Sequence, residues 1–410
     1  MEPDPGANKV AGTVRSSLVR HFAALAVLAS LGTAAYWTLR LAYADRLFRT
    51  GLSVSVARAR ELAPGNATYF TAADDSDSPP VLEAAVALHP YYAHGWIELG
   101  LSAELAGDTA RAERLLLEAA RVDQTYEPRW TLANFYYRRG DREGLWRWAK
   151  KALAIAYQDQ TPLFLLCWRM SSDPAEILSR AIPPQPRFLA QYLSFLIQRE
   201  NLDAAEAAGD LLAPKAGEAE TPLLLLFCER LLQKGRDHSA LRFWNALCVR
   251  HRIDRQPLQP GSGVSLTNGE FSAVPLDTGF DWRLQRAEGI AFAVPAGPAG
   301  GLRASFSGHQ PEVVQVLEQV LPLVPSRRYR LRFSYRTEGL APGSGLRWEI
   351  AKIAGSKDLC SENWKEEEFD FTTPPNASSA PLALSYRRAL GTTRIEGSLW
   401  LRKVSLNFAP

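Results

Sequence analysis

The strongest constraint on this chain lies between Trp96 and Ala154, where one helical hairpin is written twice. Trp96 recurs as Trp130 after 34 residues, Gly107-Asp108 recurs as Gly140-Asp141 after 33, and Ala119 recurs as Ala152. A period near 34 is that of stacked helix pairs, each too small to bury its own apolar face and so dependent on the next. In the first copy Trp96, Leu99 and Gly100 share a helical face, Gly107 ends that helix, and Ala112, Leu116 and Ala119 line the next. Small residues let the two helices approach, and large ones fill the seam between them.

This order of residues resembles the tetratricopeptide repeat, whose resemblance implies a curved helical solenoid that binds proteins. The second copy keeps Trp130, Tyr137, Gly140 and Ala152 but reads Ala133-Asn134 where Leu-Gly is expected, and its first helix counts one residue shorter. Further pairs are predicted at Thr161 to Arg180, broken at Pro174, and at Phe188 to Leu212. Thr221 to Val249 restores the pattern, with Leu224, Phe227 and Leu231 before Gly235 and Ala240, Trp244 and Leu247 after it. The reading is four or five hairpins within a repeat region of residues 44–255, the first starting near Asn66 and interrupted by an acidic turn, Asp74 to Pro80. That turn lacks the alternating ligands and final Glu of an EF-hand, so it reads as a solvated loop.

Within the second copy, Trp130 and Tyr137 are expected in the core. Phe135, Tyr136, Trp146 and Trp148 cannot all face one seam, so some are expected to line the concave groove or touch a partner protein. Asn134 and Arg138, one turn apart on the groove helix, are the candidate polar contacts.

A polar tail, residues 1–20, carries Lys9, Arg15 and Arg20, and Phe22 to Leu39 then runs without a charge. Extended over residues 21–43 the run is just long enough to span a bilayer, with Tyr36, Trp37 and Tyr43 as an aromatic belt. An uncleaved signal anchor that meets the membrane through residues 22–43 is the favoured reading over an Ala-rich buried helix or a cleaved signal peptide. Arg40, Arg46 and Arg49 balance the earlier basic residues, so the charge count leaves orientation open. The short tail and the β-domain below favour an inner-membrane, single-pass protein with its C-terminal part outside the cytoplasm.

Pro and Gly break the helical pattern at residues 256–263, read as a linker, and residues 264–410 then alternate like strands. Tyr329, Leu331, Phe333 and Tyr335 fall on one face and Arg330, Arg332 and Ser334 on the other; Leu382 to Tyr386 and Leu399 to Leu406 are similar. About eight strands argue for an antiparallel β-sandwich. Leu266-Thr-Asn-Gly-Glu-Phe271 followed by Gly279-Phe-Asp-Trp282, with the strands near Leu302, Gln315, Tyr329 and Leu399, resembles the jelly-roll carbohydrate-binding modules. Arg402 and Lys403 stand where that family often has an acidic residue for a structural ion, which puts calcium in doubt. The resemblance implies aromatic stacking on sugar rings. Of Trp282, Trp348, Trp364 and Trp400, the candidates for exposed stacking residues are Trp348 and Trp364, while Glu366 to Glu368 reads as a solvated strand start.

The fold class is thus multi-domain α plus β: a transmembrane helix, a helical solenoid and a β-sandwich. The formal net charge of +3 over 410 residues, without a basic cluster, gives no support to nucleic-acid binding. Cys167, Cys228, Cys248 and Cys360 form no metal spacing, and Cys228 and Cys248 are not placed to face each other across their hairpin. No nucleophile elbow, HExxH, phosphate loop or dinucleotide motif is present, so no catalytic residue, metal or cofactor is expected. Three functions remain: a non-catalytic scaffold for a protein partner in envelope or exopolysaccharide assembly, a glycan-binding protein acting through the sandwich, and a glycoside-active enzyme.

Overall fold

The computed structural model describes residues 6–69, 78–157, 159–294, 301–351 and 353–410, residues 6–23 by their backbone alone. Asp74, Asp75, Ser76 and Asp77 of the acidic turn lie outside the described residues, as do the side chains of Lys9, Arg15 and Arg20. The chain divides into two compact units, residues 1–170 and 171–410.

The first unit opens with α1 (Gly6–Phe48). Over Ala24–Phe48 this helix is long and apolar enough to cross a membrane, and Leu25, Val27, Leu28, Leu31 and Leu39 are exposed along it. Its polar residues are satisfied internally: the hydroxyls of Ser30, Thr33 and Thr38 donate to the carbonyls of Ala26, Ala29 and Ala34 at 2.8 Å. That is what a helix in a medium without water requires. Near its end Ala44 meets Ala59 and Ala63 around α2 (Ser53–Leu62) and Tyr69, and Arg40 Nε donates to the carbonyl of Leu62 at 2.8 Å.

After α3 (Pro79–Leu88) come the two written copies, α4 (Ala93–Leu105) with α5 (Thr109–Val122) and α6 (Tyr126–Arg138) with α7 (Arg142–Leu153); α8 (Thr161–Met170) closes the unit. Both first helices have 13 residues and start 33 apart, so the second is not shorter and the period is 33. This corrects the register taken from the tryptophans. Leu132-Ala133 stands where Leu99-Gly100 stands, and all four residues are buried. Trp130 matches Ile97 rather than Trp96. Trp96 donates its Nε1 to the carbonyl of Pro90 at 2.8 Å and Trp130 stacks on Tyr126, and both are half-buried, as is Tyr137.

Each hairpin turns the same way. Gly107 and Gly140 take left-handed φ of 83° and 71°, and the next N–H, of Asp108 or Asp141, reaches back to the carbonyl of Ala103 or Tyr136 at 2.9 Å. The carboxylates of Asp108 and Asp141 then cap the following helix by accepting from Arg111 N and Gly144 N at 2.9 Å. At Gly144 an added Cβ would lie 2.3 Å from Cδ1 of Tyr136, whose hydroxyl is tied to Glu113 at 2.7 Å. Gly144→Ala is therefore expected to destabilise by about 1–3 kcal/mol through overpacking, despite about 1 kcal/mol gained in helix propensity. Urea titration of the variant checks this; a raised midpoint would contradict the packing.

The second unit begins with α9 (Pro174–Arg180) and carries two more hairpins, α10 (Pro186–Gln198) with α11 (Leu202–Leu212) and α12 (Thr221–Gln233) with α13 (Asp237–Val249). The first helix of each again has 13 residues. Glu200 takes the left-handed place of the glycine at φ 56°, and Gly235 does so at 69°.

The sandwich comprises β1 (Arg283–Leu284), β2 (Ile290–Ala293), β3 (Leu302–Ser307), β4 (Val313–Pro322), β5 (Arg328–Glu338), β6 (Leu346–Ile350), β7 (Ala354–Gly355), β8 (Lys365–Thr372), β9 (Ser379–Arg387) and β10 (Glu396–Phe408). They form two five-stranded antiparallel sheets, β1-β4-β9-β6-β7 and β2-β3-β10-β5-β8, across one apolar core. The expected alternation holds on β5, where Tyr329, Leu331, Phe333 and Tyr335 are buried. On β10 it changes phase: Leu399 and Leu401 point inward, then Val404 and Leu406, because a bulge between Arg402 and Ser405 inserts Lys403 at φ 54°.

Leu266 to Phe271 is not a strand, contrary to the jelly-roll resemblance. It is a tight loop with Asn268 and Phe271 at φ 48° and 50°, closed by the Asn268 side chain on the backbone of Ala273. Gly269 lies under the bulge, its carbonyl accepting from Val404 N at 2.9 Å, and a Cβ there would sit 1.9 Å from Val404 O. Phe271 and Trp282 nevertheless meet in the core, ring centroids 5.3 Å apart.

Residues 256–263 do not behave as a linker. Leu258 is buried, and the Asn245 side chain of α13 holds both its N–H and its carbonyl at 2.8 Å. Gln259 and Val264 close the segment with a pair of backbone bonds at 2.8 and 3.1 Å. The sandwich then covers the last hairpin. Trp244 of α13 packs on Phe280, Glu229 of α12 accepts from Gly279 N and Arg283 Nη2 at 3.0 and 2.6 Å, and Ser378 donates to Asp237. Beneath them Arg255 and Asp281, with side chains 4% and 0% exposed, form a buried ion pair at 2.6 Å.

Candidate ligand face of the sandwich

Strand alternation sends one set of side chains from sheet β2-β3-β10-β5-β8 into the core and the other outward. Trp400 of β10 points outward and is the register partner of Arg303 on β3 and of Arg336 on β5. Both guanidinium carbons lie over its ring, 5.0 and 4.4 Å from the centroid. Arg402, two residues along β10, lies 3.8 Å from the centroid of Trp364. Each contact is a cation–π pair that fixes a charge on an aromatic plane.

Beside this cluster the same face is ion-paired across β5 and β8. Arg328 and Arg330 reach Asp370 at 2.9 and 2.7 Å, and Arg332 reaches Glu368 at 2.6 Å. The hydrogen bond from Arg330 holds the Asp370 carboxyl below the usual carboxylate range. Glu366 lies 3.8 Å from Lys403, while Glu367 alternates to the other side of β8 and accepts from Tyr335 at 3.2 Å and from Lys365 at 2.6 Å at the strand's edge. A groove of 430 Å³ runs over this part, with Ser334, Ser405 and the three glutamates in its wall. Glu366 to Glu368 is thus a laddered strand edge rather than a merely solvated start.

Of the candidate stacking residues, Trp364 is 40% exposed. Trp348 is not available: at 0% exposure it lies in the core against Trp282 and Phe333, because β6 alternates and Trp348 shares the inward face with Leu346 and Ile350. Trp400 was the aromatic to single out, since it sits between inward Leu399 and Leu401.

The solenoid candidates are largely displaced. Phe135, Tyr136, Trp146 and Trp148 are 0, 5, 2 and 8% exposed and cannot line a groove or touch a partner. They all fit because α6 and α7 bury side chains on more than one flank, as neighbouring helices pack on both sides. Asn134 turns its amide to the Trp130 carbonyl at 2.9 Å. Arg138 is engaged by Glu104 of α4 through two bonds of 2.7 and 2.6 Å.

Among the described residues no group of three His, Cys, Asp or Glu is placed to hold a metal ion. The four cysteines are free thiols. Burial pushes the thiols of Cys167 and Cys248 up to about 12 and that of Cys228 higher. Since the thiolate is the nucleophile, only Cys360 of the four is expected to react quickly with Ellman's reagent at pH 8 in the native protein. All four are expected to react in denaturant. Rapid native release of more than one equivalent would contradict this burial.

Three solved structures are similar to parts of this chain. A family 4 carbohydrate-binding module is matched at 15% identity over 35% of this chain and 100% of its own, with a TM-score of 0.29. PilF of Pseudomonas aeruginosa is matched at 17% identity over 53% of this chain and 91% of its own, TM-score 0.23. PilW, a type IV pilus biogenesis factor, is matched at 14% identity over 53% and 94%, TM-score 0.22. No protein-family model matches the chain, and no curated protein matches its sequence.

Proposed function

We propose that this protein is a membrane-anchored, non-catalytic scaffold whose helical hairpins hold a protein partner, working at the cell envelope or in exopolysaccharide assembly. The observation that carries the reading is α1. It exposes leucine and aromatic side chains over Ala24–Phe48, bonds its own hydroxyls, and passes directly into packed hairpins. A helix with that surface is costly in water and stable in a bilayer. Cell fractionation tests it: the full chain is expected in the membrane pellet after alkaline carbonate washing, and a chain lacking residues 1–43 in the supernatant. Recovery of the full chain as a soluble cytoplasmic protein overturns the reading. Protease added to spheroplasts then reports whether the C-terminal part faces outward.

A second reading is favoured by a separate observation. The outward face of sheet β2-β3-β10-β5-β8 carries two tryptophans, Trp364 and Trp400, beside a groove walled by serines and carboxylates. The serines and carboxylates accept sugar hydroxyls, and the tryptophans hold three arginines on the same face, so the sandwich is read as a glycan-binding surface.

A further inference from the structure

We propose that the ligand of this face is an acidic polysaccharide, one whose sugar residues carry carboxylates. This rests on the reading of the sandwich as a glycan-binding surface and names the class of glycan. The argument starts from charge. Arg328, Arg330 and Arg332 of β5 all have carboxylate partners. Arg303, Arg336 and Arg402 have none within ion-pair distance among the described residues; the Arg303 side chain donates to the hydroxyl of Ser398 at 3.3 and 3.1 Å. The Nε atoms of Arg336 and Arg402 are buried without a hydrogen-bond partner.

The three guanidiniums sit on adjacent strands, two of them over the same ring and the third one step along β10. Like charges held this close repel, and half-buried donors left unpaired are costly. An anion removes both costs. Planar guanidiniums match carboxylates in particular, through paired N–H···O bonds. The carboxylates nearest by strand register are Glu338 and Glu366, and neither reaches the three.

The rest of the face selects among anions. Next to Arg402 lies the groove of Ser334, Ser405 and Glu366 to Glu368. The same wall holds Arg332 and Lys403, which pair with Glu368 and Glu366 at 2.6 and 3.8 Å. The paired carboxylates and serines keep lone pairs for hydroxyl donors, which poly-glutamate or a phosphate chain does not offer. A polymer that offers hydroxyls to one half of the face and carboxylates to the other fits both, and a uronate-bearing polysaccharide has that composition.

The test uses the full-length protein in detergent, with polygalacturonate as probe and its methyl-esterified form, neutral dextran and poly-glutamate as comparisons. Binding is followed by biolayer interferometry at low and physiological salt. Polygalacturonate is expected to bind, more weakly as salt rises, with the esterified form and dextran at least about tenfold weaker. R336Q and R402Q are each expected to lower affinity about tenfold. R328Q, whose guanidinium is already paired to Asp370, leaves affinity unchanged, and matching thermal melts show that all three variants fold. Equal binding of the esterified form, or of poly-glutamate, overturns the acidic-sugar assignment; in the first case the broader glycan reading survives. Failure of every polysaccharide to bind removes both, and the scaffold reading stands or falls separately on fractionation.

Discussion

Replacing Asp281 with Ala is expected to destabilise residues 171–410 by about 3–5 kcal/mol, the cost of leaving a buried charge without its partner. Asp281 accepts from Arg255 Nε and Nη2 at 3.0 and 2.6 Å, from Leu276 N at 2.9 Å and from Thr267 Oγ1 at 3.2 Å. The side chain of Arg255 is only 4% exposed, so water cannot replace the lost carboxylate. Its other bonds, to the carbonyls of Asp254 and Val274 at 2.6 and 2.7 Å, fix the guanidinium in place. Guanidinium denaturation of D281A reads the loss. The double variant R255A/D281A is expected to be less destabilised than the two single losses added together, because it removes the stranded charge as well. Additive losses would show that the pair acts as two independent packing elements.

Trp244→Ala is expected to cost about 3–5 kcal/mol by opening a cavity where the helices meet the sandwich. The indole is fully buried, packs on Phe280 and lies so close to Gly279 that a Cβ there would come within 2.7 Å of the ring. The loss should be local in kind. Backbone amides of α12, α13 and residues 279–283 are expected to lose protection from hydrogen exchange together, while the centre of β5 and β10 keeps it. Unchanged exchange in α12 would show that the sandwich does not support the last hairpin.

These two residues also mark where the sequence stops being readable. Local signals placed the helices well: a glycine at φ 71°, a carboxylate capping three residues on, and 13-residue helices all follow from nearest-neighbour chemistry. The repeated tryptophans misled by one residue because a large side chain can lie half-buried at a seam's edge, whereas Gly107 and Gly140 are fixed by backbone geometry. Trp348 and Trp400 were decidable by strand alternation against Leu346 and Ile350, and against Leu399 and Leu401. Arg347 and Glu349 alternate to the opposite face of β6 from Trp348, so their charge says nothing of its exposure. The three unpaired arginines could not have been found this way. Their significance lies in what β8 supplies to Arg328, Arg330 and Arg332 and withholds from Arg336, and pairing across 36 to 42 residues carries no local mark. The same holds for Arg255 and Asp281, 26 residues apart, which turn an expected linker into a joint.

The joint has a consequence for how such a chain can change length. A stacked array normally ends in a repeat with a polar outer flank. Here the flank of α13 is apolar at Trp244 and is closed by residues of the sandwich. A hairpin added after Val249 would compete with Phe280 and Leu258 for that surface and strip the array of its end. New hairpins are therefore expected only ahead of α12 in the chain, so the lengths open to this architecture grow on the N-terminal side of the last hairpin while its far end stays fixed.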